Sequence, residues 1–137
     1  MGGPDWGATR APELAHIEEL ADAAWRRLPA EFRALCADIV VRVEDFATEE
    51  VLRELKIESP FDLMGLYQGI SVDKRSVMDV ARAPNMIFLY RRALLDCWAE
   101  GGETLGHLVT HVLVHEIGHH FGLSDADMER IEGCVAD

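Results

Sequence analysis

The stretch from Thr104 to Phe121 has the strongest helical pattern in the chain, and it is apolar on most sides at once, through Leu105, Leu108, Val109, Val112, Leu113, Val114, Ile117 and Phe121. A helix that lies on a protein surface shows one apolar stripe; a helix apolar on most sides must be covered from several directions. The remaining segments therefore have to surround this one. With 137 residues there is room for one domain to do so. An apolar content of 49% against 28% charged residues is that of a globular chain rather than a disordered one.

The covering elements can be read along the chain. From Pro12, suited to a first helical turn, apolar residues recur at helical spacing through Leu14, Ile17, Ala21, Ala24, Trp25 and Leu28, and Pro29 closes the segment. A shorter helix follows over Glu31 to Ala37, then a β-branched strand from Ile39 to Glu44. Thr48 can cap a short helix through Glu54. Leu63 to Ile70 reads as a second strand, weakened by Gly65 and Gly69. A polar loop from Ser71 to Asn85 leads to a third strand, Met86 to Tyr90, and helical spacing resumes at Ala93 until Gly101-Gly102. This order predicts an α+β domain, a small sheet of about three strands packed with helices, with the central helix near the C-terminus. Residues 1–10 have the composition of a mobile tail, leaving 11–137 as the single domain.

Charge narrows the partners. Against 25 Asp and Glu stand 13 Lys and Arg, a formal charge of -12, with no basic block. Such a chain is repelled by phosphate backbones and anionic membrane surfaces, so neither nucleic acid nor a membrane is an expected partner. No apolar run reaches the length needed to cross a bilayer, and the first 30 residues hold no signal-peptide pattern, which makes the expected location cytoplasmic. Cys36, Cys97 and Cys134 form no CxxC pair and read as reduced thiols.

Within the central helix, His115-Glu116-Ile117-Gly118-His119 is an HExxH motif. Positions four apart lie on one helix face, about 5 to 6 Å apart at their Cβ atoms, so both imidazoles can converge on one ion. Glu116 points about 100° around the helix, beside such an ion rather than on it, where it can take a proton from water activated by the metal. Gly122 and Asp125 extend the motif to HExxHxxGxxD. Continued as helix, Asp125 would lie about 15 Å beyond His115. A left-handed glycine at Gly122 allows the chain to turn back, and the Asp125 carboxylate then becomes a candidate third ligand, leaving a fourth position open.

These residues resemble the motif of the zincin metallopeptidases, in the subset with an aspartate ligand after a glycine turn. More closely, the stretch from Leu28 to Gly133 is similar to small bacterial zincin-like metallopeptidases. It carries Leu28-Pro29-Ala30-Glu31-Phe32, Gly65-Leu66-Tyr67-Gln68-Gly69, Ile87-Phe88-Leu89-Tyr90-Arg91-Arg92 and Val114 to Leu123. The resemblance implies a minimal zincin fold, one Zn2+ held by His115, His119 and Asp125, and Glu116 as the catalytic residue acting on a peptide or protein substrate. Two other readings keep the same residues: a non-catalytic domain stabilised by zinc, and a two-histidine, one-carboxylate iron centre, which leaves Glu116 without a purpose.

Other candidates have plainer readings. His107, His111, His115 and His119 recur every four residues, but only the last two have the motif's context; His111 reads as solvated or core before it reads as a support to a ligand. His120 faces away from His119 and reads as structural. Tyr67 and Tyr90 could donate to an oxyanion, although a phenol packed at a sheet end is the favoured reading for both. Met128, on a short closing helix capped by Ser124, reads as packing, and Cys134 as an inert thiol. The strand from Ile87 to Tyr90 is either a buried strand or the edge that pairs with extended substrate.

Overall fold

The computed structural model of the chain describes residues 3–69 and 85–123. Eight elements follow one another: α1 (Leu14–Arg26), α2 (Ala30–Leu35), β1 (Ile39–Glu44), α3 (Glu49–Glu54), β2 (Gly65–Gln68), β3 (Asn85–Tyr90), α4 (Arg91–Glu100) and α5 (Leu105–Phe121), with short 3-10 turns at Trp6–Ala8 and Pro60–Asp62. The expected α+β architecture is present, with a three-stranded sheet in the order β1-β3-β2.

The helix ends follow capping chemistry. Thr48 Oγ1 accepts from the Val51 N–H at 3.2 Å and Thr104 Oγ1 from the His107 N–H at 3.1 Å, each satisfying a donor that the first turn leaves open. α1 starts later than Pro12. Glu13 is its N-cap, in a reciprocal capping box with His16, whose Nδ1 accepts from the Glu13 N–H at 2.8 Å. α4 starts earlier than expected, directly from β3, because the Arg92 N–H of its first turn donates to the Asp45 carbonyl at 3.1 Å and the Arg91 guanidinium is held by the Asp45 carboxylate at 2.6 Å and the Pro12 carbonyl at 2.8 Å.

β1 runs parallel to β3, from Ile39 opposite Asn85 to Glu44 opposite Tyr90; β2 runs antiparallel, from Gly65 opposite Leu89 to Gln68 opposite Met86. β3 is therefore the middle strand. The reading of Ile87 to Tyr90 as a substrate-pairing edge is corrected by this order: Ile87 and Leu89 are fully buried and Tyr90 nearly so. The second strand is shorter than the span expected from Leu63, its last expected residue, Ile70, lying outside the described residues, as does the expected loop from Ser71 up to Pro84.

α5 is central, as its composition requires. It packs against α1, β2, β3 and α4. Ile17, Ala21 and Ala24 of α1, Ile87 and Leu89 of β3, Leu94 of α4, and Leu108, Val109, Leu113 and Ile117 of α5 share one core. Each fully buried aliphatic side chain there contributes about 1.5–3 kcal/mol. A second cluster on the other side of β3 joins Ala47, Leu52 of α3, Tyr90 and Ala93. No helix among the described residues is long and apolar enough to cross a membrane.

Candidate metal centre

α5 ends as the motif anticipates. Gly122 adopts the left-handed conformation at φ 69° and ψ 29°, its N–H donates to the His119 carbonyl at 3.1 Å, and the Leu123 N–H donates to the Gly118 carbonyl at 2.9 Å. This pair of bonds is a Schellman cap, which satisfies carbonyls of the last turn and redirects the chain. Asp125, expected as a ligand after that turn, lies outside the described residues, as do Ser124, Met128 and Cys134.

One turn before the cap, donor atoms of His115, Glu116 and His119 all lie within 4.8 Å of one another. The two imidazoles meet edge to face, with ring centroids 5.1 Å apart. Burial grades across the group: Glu116 is buried, His115 half-buried and His119 exposed. The cluster thus opens to solvent on the histidine side and is dry on the carboxylate side. Two imidazoles converging from one helix face are donors that zinc accepts, and the neighbouring carboxylate stands where it can take a proton from water on such an ion, so these side chains fit the metal that the motif implies.

Glu116 is set by β2. A Cβ on Gly65 would stand 2.7 Å from Val112 Cγ1 and 3.3 Å from Glu116 Cγ, so only glycine lets the strand lie this close to the helix. Two residues on, the Tyr67 backbone N–H donates to the Glu116 carboxylate. Desolvation pushes the Glu116 pKa up from 4.5 to about 7, and that hydrogen bond holds it back from rising further. In the metal-free chain the carboxyl is consequently poised near neutrality.

The remaining candidates separate. His107 pairs with Glu103, Nδ1 to Oε2 at 2.5 Å, and His111 is exposed; neither belongs to the convergent group. His120 is completely buried, with Nδ1 3.0 Å from the Tyr67 hydroxyl. Tyr90 is buried and stacks on Phe88, and its phenol is pushed up to about 12 by desolvation, with smaller contributions from Glu44 and Glu116. Sequence reasoning missed two parts of this site, the close approach at Gly65 and the backbone N–H of Tyr67. The first had a signal, since a glycine inside a strand pattern marks a close approach as readily as a weak strand; the second had none, because a backbone donor carries no side-chain signature.

No curated protein matches the chain. The family model for zincin-like metallopeptidases matches residues 36–134, well over half of the sequence and inclusive of every residue of the convergent group, so this chain belongs to the zincin-like metallopeptidase family.

Proposed function

We propose that the protein is a zinc-dependent peptidase in which His115, His119 and Asp125 hold the ion and Glu116 is the general base. The observation that carries this reading is the convergence of His115, Glu116 and His119 at the solvent-facing end of a buried helix, in a chain of this family. Zinc, when bound, supplies Lewis acidity, which makes water acidic near pH 7 and polarises a carbonyl. His115 and His119 offer it neutral imidazoles from one helix face. Asp125 supplies the third donor after the turn at Gly122.

Glu116 does the proton work. Its carboxylate already takes the Tyr67 N–H, which fixes its direction and commits one lone pair, while the other oxygen remains to accept a proton from the attacking water and return it to the leaving amine. Its dry environment raises its basicity toward the working pH, the condition under which proton transfer is most effective. A metal nearby favours the ionised form, so burial and cation pull in opposite directions and keep the carboxylate both charged and basic.

Cleavage of a mixed peptide library with added zinc, with the Glu116→Gln variant beside it, is the test. Wild type is expected to cleave, and Glu116→Gln to retain zinc by elemental analysis while losing cleavage. Activity that survives the substitution would refute the role of Glu116, and a zinc-loaded wild type that cleaves nothing would favour the zinc-stabilised binding domain.

A further inference from the structure

The buried imidazole next to the site has no part in the chemistry above. We propose that His120 and Tyr67 are positioning residues: His120 fixes the Tyr67 side chain from beneath, and Tyr67 in turn holds in place the backbone N–H that orients Glu116. The catalytic consequence rests on the peptidase reading; the clamp itself does not.

His120 follows His119 and projects about 100° away around α5, into the core, where it is 0% exposed. A buried imidazole is costly unless both nitrogens are partnered. Here they are. Nδ1 lies 3.0 Å from the Tyr67 hydroxyl, and Nε2 lies 3.4 Å from the Leu35 carbonyl and 3.8 Å from the Asp38 carboxylate. With a carbonyl and a carboxylate oxygen within reach of it, Nε2 carries the hydrogen, and Nδ1 accepts from the Tyr67 O–H. Asp38 is tied in turn to the central strand by the Asn85 side-chain amide, which donates to Oδ2 at 2.9 Å. The ring thus references Tyr67 to the turn before β1 and to the start of β3.

The geometry of β2 explains why this reaches Glu116. The Tyr90 N–H donates to the Met64 carbonyl at 2.9 Å, and Leu66 stands opposite Phe88. In an antiparallel pair, inward and outward peptide groups alternate, so the peptide groups of Gly65 and Tyr67 turn away from β3. The Tyr67 N–H is therefore outside the sheet ladder, and its direction depends on how the strand is held on α5. Gly65 sets the closeness of that contact through Val112 and Glu116 Cγ; the Tyr67 side chain, bonded to His120, sets its rotation. A residue that merely filled the core at position 120 would supply volume without this direction.

The experiment uses the whole 137-residue chain, zinc-loaded, and the variants Tyr67→Phe, His120→Asn and, as the conservative control, His120→Gln. Amide hydrogen exchange is read at residue 67 and at Ile87 and Leu89, alongside zinc content and, on a peptide that wild type cleaves, kcat and KM. In Tyr67→Phe and His120→Asn, exchange at residue 67 is expected to speed up by about tenfold or more while Ile87 and Leu89 keep their rates. kcat should fall by about 10- to 100-fold, the range for losing a group that orients a site residue, with KM and zinc content unchanged, and His120→Gln should recover part of the loss. Unchanged exchange at residue 67, unchanged kcat, or acceleration at all three amides together would overturn the proposal, the last by reducing the pair to ordinary packing. Should His120→Asn fail to fold, Tyr67→Phe, which removes one oxygen, decides. A wild type that cleaves no peptide would refute the peptidase reading, and exchange would still decide the clamp.

Discussion

Gly65→Ala tests whether the close seat of β2 on α5 is a steric requirement. The new methyl would lie 2.7 Å from Val112 Cγ1, and 3.3 Å from both Glu116 Cγ and the Phe88 carbonyl oxygen. Carbon atoms pack best at about 3.5–4.0 Å, so roughly 1 Å of clearance from Val112 must be found. Glu116 and the Phe88 carbonyl crowd the other sides, and Val112, a β-branched helical residue only 5% exposed, has essentially one χ1 rotamer available. The strand itself has to lift. Overpacking of this kind costs about 1–3 kcal/mol, and alanine's smaller unfolded-state entropy returns about 0.4–1 kcal/mol, for a net loss of about 1–2 kcal/mol. Urea unfolding of the zinc-free chain should show a lower midpoint at unchanged m. Val112→Ala removes the clashing methyl, so the double variant should lose less stability than the sum of the two single variants, with a coupling of about 1–2 kcal/mol between them. Wild-type stability in Gly65→Ala, or strict additivity in the cycle, would refute the steric argument.

Other outcomes follow from the same structure. Chelation should destabilise the chain: at a free zinc concentration a thousand times Kd the ion contributes about 4 kcal/mol, so thermal unfolding with and without chelator should differ by on the order of 10 °C or more; identical curves would argue against metal held by the folded chain. Burial, with Asp38 adding to it, pushes the Cys36 thiol up from 9.0 to about 12. The neutral form is favoured in the fold, so this contribution is present below about pH 9 and is lost as pH rises from about 9 toward 12, when the unfolded thiol ionises first; Cys36→Ala should flatten that part of the stability profile, and a profile unchanged by it would count against the shift. If the chain cleaves peptides, its net charge of -12 should favour those carrying basic residues, an effect that should weaken with salt; library cleavage indifferent to both substrate charge and ionic strength would remove it.

What could be read from the sequence was what depends on near neighbours in the chain. α5 was legible because its apolar residues and its Gly122 stop lie within one continuous stretch, and the two histidines four apart share a face by helix geometry alone. Strand existence was legible for the same reason. Strand order was not: whether Ile87 to Tyr90 is central or at an edge depends on β1 and β2 arriving on either side, and apolar composition fits a buried middle strand and an edge covered by a helix equally well. The same limit hid the meaning of Gly65. Its missing side chain weakens β2 as an isolated strand, yet against α5 it is what admits the strand to within contact of Glu116. Tyr67 and His120 are 53 positions apart and 3.0 Å from each other in the fold. The motif therefore named the groups that converge, whereas a distant strand meets Glu116 through a backbone N–H and the absence of a methyl, neither of which a residue pattern records. Two substitutions that leave the motif intact, Gly65→Ala and Tyr67→Phe, are for that reason the sharper probes of how Glu116 is directed.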